Sequence, residues 1–235
     1  MDLKKLFSTK RIVFILLFTI MVLVGKKVNF SPVIGVENQF FTLFQFFGPI
    51  AGAFLGPVFG VISVLGAEVL DILIMHKEVT LISAIRLTPM LFAAYYFGTN
   101  RKKLSALIPL ACMALFILHP VGRQAWFYSL YWLIPITAAI LIKIAPGKLF
   151  LRSLGATFTA HAIGSVAFLY TVPMTAAEWI GLIPVVAYER LMFAAGIAVS
   201  FLAMNYALDW TLDKLKQKFT VPEEVLHIDR NYLRA

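Results

Sequence analysis

The sequence predicts an all-α protein: a polytopic transmembrane helical bundle of about eight spans (six to eight), with both termini in the cytoplasm. Of its 235 residues 60% are apolar and only 14% are charged, whereas soluble domains average about 25% charged residues. Several apolar runs approach or exceed the roughly 18 residues that mark a spanning helix. The net charge of +9 comes from basic residues at the ends of these runs, so membrane topology and anionic lipid explain it better than nucleic acid does.

The first apolar run, residues 11–27, follows a basic N-terminal segment, as in a secretory signal peptide. No small-residue cleavage pattern follows Gly25, because Lys26 and Lys27 come directly after it. The run is therefore predicted to be a retained signal-anchor helix and the first span. The chain has one cysteine, Cys112, so it can form no internal disulfide.

The next apolar stretch, residues 39–75, is too long for one span and has no charge before Glu68. A single helix of about 36 residues would extend roughly 54 Å, whereas the hydrocarbon core is about 30 Å thick. Because the residue before a proline disfavours helical geometry, the break is expected near Leu55-Gly56-Pro57. The sequence thus predicts two spans, about 38–54 and 57–75, joined by a very tight turn.

Four glycines in this stretch fall four residues apart. Small residues at this spacing share one side of a helix, where they let two backbones approach closely. The alternative interpretation is a flexible or broken helix that lines a cavity, as in transporters. The glycines are Gly48, Gly52, Gly56 and Gly60.

Five more apolar runs complete the predicted bundle, and a polar loop at 28–38 precedes the second span. The five runs are about 80–98, 104–119, 126–141, 153–172 and 180–207. With both termini inside, 13 Lys and Arg residues up to Lys218 lie on the cytoplasmic side, and only four face outward: Lys26, Lys27, Lys77 and Arg123. One span over 38–75 would reverse this bias, so the charges support the hairpin independently. We interpret residues 1–212 as a single transmembrane domain and 213–235 as a charged cytoplasmic tail.

Ionisable groups inside the spans are the candidate functional residues, because each costs roughly 2.5–3.5 kcal/mol on insertion scales. Glu68 and Asp71 are three residues apart and therefore share a helix face. Arg86, in the returning span, is expected at a similar depth, which predicts an Asp71–Arg86 or a Glu68–Arg86 pair. Such pairs are also used simply to hold helices together.

Four more polar residues are expected at comparable depths in other spans. Glu189 and Arg190 are adjacent in the last span, His161 lies in the seventh and Gln45 in the second. The seven residues together predict an outward-facing polar pocket for a small solute. The alternative for Glu189 and Arg190 is structural pairing, and for His161 it is a packed, hydrogen-bonded core histidine. No catalytic residue, metal ligand or cofactor is predicted.

Several motifs are absent from the sequence. It has no phosphate-binding P-loop, no HExxH zinc pair, no Cys/His cluster at metal-ligand spacing and no GxSxG nucleophile motif. The chain is therefore not expected to hydrolyse ATP itself.

One stretch of the sequence resembles a pattern in one family. It is the run Phe47-Gly48-Pro49-Ile50-Ala51-Gly52-Ala53-Phe54-Leu55-Gly56, followed by Gly66 and by an acidic residue at Glu68 or Asp71. It is similar to the substrate-binding (S) components of energy-coupling-factor transporters, small membrane proteins that capture vitamins or metal ions. The segment from Leu182 to Glu189 loosely resembles their final span. The resemblance implies solute capture, with a membrane coupling subunit and its ATPases as partners.

Three functions follow as hypotheses. The first is a multi-pass cell-membrane transport protein that captures a small polar, anionic or zwitterionic solute. The second is an intramembrane enzyme on a lipid-linked substrate, with Glu68 or Glu189 as general base beside His161. The third is a non-catalytic membrane assembly subunit whose charges serve only helix pairing.

Overall fold

The computed structural model describes residues 9–35, 37, 39–76, 78–99, 102–142, 147–216 and 227–232. This part of the chain is mostly helical, which confirms the all-α class. The α-helices are α1 Thr9–Gly25, α2 Phe44–Phe47, α3 Ile50–Ile74, α4 Leu81–Gly98, α5 Lys102–Leu118, α6 Pro120–Gln124, α7 Leu133–Leu141, α8 Lys148–Thr171 and α9 Ala176–Lys216. Two 3₁₀ helices, Trp126–Trp132 and Arg230–Tyr232, and two strands, β1 Asn29–Pro32 and β2 Phe40–Thr42, complete the described elements.

Two helices in the described ranges are long and apolar enough to cross a membrane: Ile50–Ile74 and the Ala176–Thr211 part of α9. Shorter apolar helices cover Phe14–Gly25, Ser105–Leu118 and Trp126–Leu141. The spans predicted at 80–98 and 153–172 coincide closely with α4 and α8. Helical structure is therefore established for these runs, and two of the helices are candidate spans.

The break predicted at Leu55-Gly56-Pro57 is confirmed. Helix α3 is interrupted at Gly56, whose φ of 79° and ψ of 170° are not helical and belong to a region that is essentially restricted to glycine. The chain reverses there, because a Cβ added at Gly60 would lie 2.6 Å from the backbone nitrogen of Gly52. Residues eight apart on a straight helix would instead be about 12 Å apart.

The glycine stripe packs backbone against backbone. A Cβ added at Gly52 would lie 2.9 Å from the backbone nitrogen of Gly98 in α4, and one added at Gly48 would lie 2.7 Å from the Met90 side chain. Gly52, Gly60 and Gly98 thus allow both arms of the α3 hairpin and α4 to meet closely, as expected for small residues between membrane helices. Gly56 has a different role, which is to form the turn.

Residues 29–42 correct the predicted boundaries of the second span. The expected polar loop and the first residues of the predicted span form an antiparallel β-hairpin, in which Asn29 faces Thr42 and Pro32 faces Phe40. Helical structure begins only at Phe44. We call residues 29–35, 37 and 39–42 the roof hairpin, because several of them line the cavity described below. In the predicted sixth span, the first seven residues likewise form a 3₁₀ helix rather than an α-helix.

The helices enclose two hydrophobic clusters. One joins the α3 hairpin to α1, α4, α8 and α9, and includes the stacked rings of Phe54 and Phe201. The other joins α5, the 3₁₀ helix at 126–132, α8 and α9, and its largest fully buried side chain is that of Trp132. The outer faces of α1, α3, α5 and α9 expose large apolar side chains, such as Leu16 and Val199.

The described part of the predicted tail packs against the bundle at the end opposite the roof hairpin. Helix α9 continues to Lys216, and residues 227–232 return to the helices. The Asn205 side chain exchanges two hydrogen bonds of 2.9 Å with the Asp229 backbone, and the His227 N–H donates to the Phe54 carbonyl at 3.0 Å. Several basic residues used in the topology prediction lie outside the described residues: Lys4, Lys5, Lys77, Arg101, Lys143 and Lys218.

Candidate functional site

A cavity of about 610 Å³ lies beneath the roof hairpin. Much of its wall is apolar, with Phe44, Met90 and Phe168 among the lining residues. All seven residues singled out from the sequence line it: Gln45, Glu68, Asp71, Arg86, His161, Glu189 and Arg190. They come from five helices, α2, α3, α4, α8 and α9. The structure therefore brings together side chains that are up to 145 positions apart in the sequence.

On one wall, Glu68 and Asp71 project from the second arm of the α3 hairpin. They are 5% and 1% exposed, and the ammonium group of Lys26 forms an ion pair with both carboxylates, at 2.8 Å from Asp71. The three-residue spacing predicted the shared face correctly. Sequence reasoning missed Lys26, which it assigned to an outer loop. The residue follows α1 directly, and a lysine side chain there can reach back along the helix.

Arg86 lies near these acids but makes a different contact from the one expected. Its guanidinium donates a 2.9 Å hydrogen bond to the Phe40 carbonyl in strand β2. Lys26 forms ion pairs with Glu68 and Asp71, and Arg86 interacts with Glu68 electrostatically. Arg86 thus links α4 to the roof hairpin, a contact that no sequence pattern signalled.

On the opposite side, Glu189 and Arg190 of α9 are both buried. One carboxylate oxygen of Glu189 accepts a hydrogen bond from the Ser31 hydroxyl, and the other accepts one from Arg190 at 3.4 Å. The Arg190 guanidinium also lies over the rings of Phe41 and Phe193, 5.0 and 4.5 Å from their centroids. Such cation–π contacts favour a desolvated arginine. This adjacent pair therefore holds strand β1 and positions a buried guanidinium beside the cavity.

The ring of His161 is hydrogen-bonded at both nitrogens. The Trp132 indole N–H donates to Nδ1 at 3.1 Å, and Nε2 lies 2.8 Å from the Tyr128 hydroxyl. An indole nitrogen can only donate, so Nδ1 carries the lone pair and the neutral ring carries its proton on Nε2. His161 consequently has no free lone pair with which to take a proton from a substrate. Trp132 and Tyr128 lie on the 3₁₀ helix, and sequence reasoning named neither.

The roof hairpin forms part of the cavity wall and is held by contacts with the surrounding helices. Its tip packs against the segment between α8 and α9, since a Cβ added at Gly35 would lie 2.9 Å from the Met174 sulfur. Gly35 also has a φ of 92°, which favours glycine. The hairpin therefore contacts α9 through Ser31, α4 through Phe40 and the segment between α8 and α9 through Gly35. Between the described residues, no group of three or more His, Cys, Asp or Glu side chains is placed to hold a metal ion.

No protein-family model, curated protein or solved structure matches this chain.

Proposed function

We propose that this chain is a multi-pass cell-membrane transport protein that captures a small anionic or zwitterionic solute in an outward-facing pocket. The supporting observation is the convergence of seven polar residues from five helices on one cavity. A volume of about 610 Å³ falls within the roughly 300–1,000 Å³ that is typical of small-molecule sites. Largely apolar walls with a few convergent polar groups are also typical of such sites.

The charges of the cavity wall narrow the class of solute. Three cationic and four anionic side chains line it: Lys26, Arg86 and Arg190, with Glu68, Asp71, Glu78 and Glu189. Because both signs are present, a bare cation or a wholly apolar molecule would leave one set of charges without a complement. A zwitterion, or an anion that also carries hydrogen-bond donors, matches the wall better.

The proposal includes eight spans with both termini in the cytoplasm. The apolar side chains exposed on α1, α3, α5 and α9 support it, since soluble proteins rarely expose large contiguous apolar patches. In this topology, the roof hairpin faces the exterior and residues 227–232 face the cytoplasm.

Cysteine labelling tests this topology, because the chain's own cysteine, Cys112, is buried. In a Cys112→Ser background, Glu37→Cys should react with a membrane-impermeant maleimide in intact cells. Asp213→Cys should react only after permeabilisation. Both positions are exposed, so the reverse pattern would refute the orientation.

Solute capture is tested by variants on opposite walls. Arg86→Ala and Glu189→Ala should abolish solute-dependent thermal stabilisation, measured against the melting temperature of each ligand-free variant. Arg123→Ala, an exposed arginine away from the cavity, is the matched control. Unaltered binding in both cavity variants would remove these residues from the site. The solute itself can be identified by native mass spectrometry of the purified protein.

Transport also needs an energy source, and the sequence has no P-loop of its own. We propose that a membrane coupling subunit with ATPases supplies it, the partner that the sequence resemblance implies. Co-purification of such a complex from native membranes tests this step. The enzyme hypothesis is not favoured, because both ring nitrogens of His161 are already engaged.

A further inference from the structure

Two buried N–H groups beside the cavity have no acceptor among the described residues. They are the indole Nε1 of Trp179 and the guanidinium Nε of Arg190. Both residues line the cavity and are only 2% and 3% exposed. Buried donors are nearly always hydrogen-bonded in native proteins, because an unmet donor keeps its full desolvation penalty. Two of them at one cavity call for an acceptor that the described residues do not supply.

Tyr128 supplies a third donor at the same place, because its neighbours fix the direction of its hydrogen bond. Since Trp132 donates to Nδ1 of His161, the Nε2 proton is donated to the Tyr128 oxygen. The hydroxyl proton of Tyr128 must then point to a different acceptor. The nearest acceptor that the structure gives is the Ser165 hydroxyl, at a long 3.5 Å. Tyr128 also lines the cavity.

The rings of Tyr128 and Trp179 are in edge contact, 5.1 Å apart between centroids. Arg190 lines the same cavity from the helix that also carries Trp179. The carboxylate of Glu189 accepts from the Ser31 hydroxyl and from a terminal nitrogen of Arg190, and it accepts from neither the Trp179 indole nor the Arg190 Nε. This part of the wall therefore offers donors without matching acceptors.

We infer that Tyr128, Trp179 and Arg190 form a subsite for the carboxylate of the solute, with Tyr128 oriented by the Trp132–His161 pair. The inference rests on the proposed function and specifies which end of the solute binds here. A carboxylate has two oxygens that only accept, and it can receive all three N–H and O–H groups. An amide at the same position presents an NH₂ group to donors and leaves at least one of them unmet. An ammonium group has no acceptor at all.

Matched probes test this class of ligand on the full chain in lipid nanodiscs. The pairs are phenylalanine and phenylalaninamide, and benzoate and benzamide, with benzylamine as the amine. Affinity is read from the dependence of the melting temperature on probe concentration. We expect each carboxylate of a pair that binds to do so at least about tenfold more tightly than its amide, because hydrogen bonds to charged groups are the stronger ones.

Two conservative variants locate the effect. Tyr128→Phe and Trp179→Phe each remove one donor and keep an aromatic ring, and each should reduce the preference for carboxylate over amide about tenfold. Tyr170→Phe and Trp126→Phe are the matched controls, since both residues are exposed and neither lines the cavity. They should leave the preference unchanged. If the preference survives both cavity variants, the inference is wrong.

The positioning role of Trp132 needs a readout that loss of packing would not change. In Trp132→Phe the Nδ1 lone pair of His161 loses its donor, so the ring can take the other tautomer and Tyr128 can turn. The ¹⁵N chemical shifts of the His161 ring should then move away from the Nε2–H pattern, and the carboxylate preference should fall. With four histidines in the chain, a His161→Gln difference spectrum assigns the signal. An unchanged tautomer together with a lost preference would contradict this role.

The outcomes separate the two proposals. Preferential binding of carboxylates that depends on Tyr128 and Trp179 supports both. Tighter binding of amides or of benzylamine, abolished by Arg86→Ala or Glu189→Ala, keeps the transport function and overturns the carboxylate subsite. Binding of none of the probes at 20 mM, with no small molecule retained on purification, overturns both.

Discussion

Replacing Gly52 by alanine should separate the α3 hairpin from α4. A Cβ at this position would lie 2.8 Å from the carbonyl carbon of Ala94 and 2.9 Å from the backbone nitrogen of Gly98. Ordinary carbon contacts are about 3.5–4.0 Å, so the two backbones must move apart by about 1 Å. Neither neighbour is the end of a flexible side chain, so local rotation cannot relieve the overlap.

The expected cost follows from this overlap. Overpacking typically costs about 1–3 kcal/mol, and a gap of about 1 Å between helices also forfeits a quarter to a half of the local dispersion energy. The matched control is Gly66→Ala on the same element, where an added Cβ meets nothing within 4 Å. That variant should be neutral or stabilising by up to about 1 kcal/mol, because alanine is the better helix former.

The two variants should therefore differ by about 3 kcal/mol. For a chain of this size, that difference corresponds to about 6–12 °C in apparent melting temperature. The assay is thermal unfolding in detergent, followed by size-exclusion chromatography of the remaining folded protein. Equal melting temperatures for Gly52→Ala and Gly66→Ala would refute the backbone-to-backbone packing of the glycine stripe.

Three further predictions concern other contacts. Lys26→Met removes a cation that contacts both Glu68 and Asp71, so thermal unfolding should show a free energy of unfolding lower by about 3 kcal/mol. Lys27 is exposed, so Lys27→Met should match the wild type. Equal losses in the two variants would contradict the expectation. Asn205→Ala removes both hydrogen bonds to Asp229 and should lower the free energy of unfolding by about 1–3 kcal/mol. Hydrogen exchange at residues 227–232 should become faster. Unchanged exchange would show that these bonds do not hold the segment. Gly56→Ala forces a side chain into a region of φ and ψ that glycine alone occupies readily. The melting temperature should therefore fall by an amount that corresponds to about 1–3 kcal/mol. A melting temperature equal to that of the wild type would count against the turn geometry.

The α3 hairpin could be predicted because two independent constraints agreed. The stretch was too long for the hydrocarbon core, and Gly56-Pro57 was the weakest point for a helix. The roof hairpin could not be predicted in the same way. Its strands have only four and three residues, too few for an alternating pattern to stand out, and an isolated two-stranded hairpin is marginal without something to pack against.

The sequence predicted which charged residues line the candidate site, but not which residues they contact. Buried charges are costly in an apolar run, so Glu68, Arg86 and Glu189 stood out by composition alone. Their partners did not. Lys26 came from a segment assigned to a loop, and Ser31 is an ordinary residue of a short strand. Tyr128 and Trp179 could not be distinguished by sequence from the other aromatic residues of an apolar chain.

The helical class, the turn at Gly56 and the set of charged residues that need a buried partner could be read from the amino-acid order. These properties follow from local chemistry: apolar run length, backbone restrictions beside proline, and the cost of desolvating a charge. The folded structure was needed to show which groups meet, that they surround one cavity, and which donors have no acceptor among the described residues. Hydrogen bonding depends on distances of a few ångströms between residues far apart in the chain, and helix packing alone sets those distances.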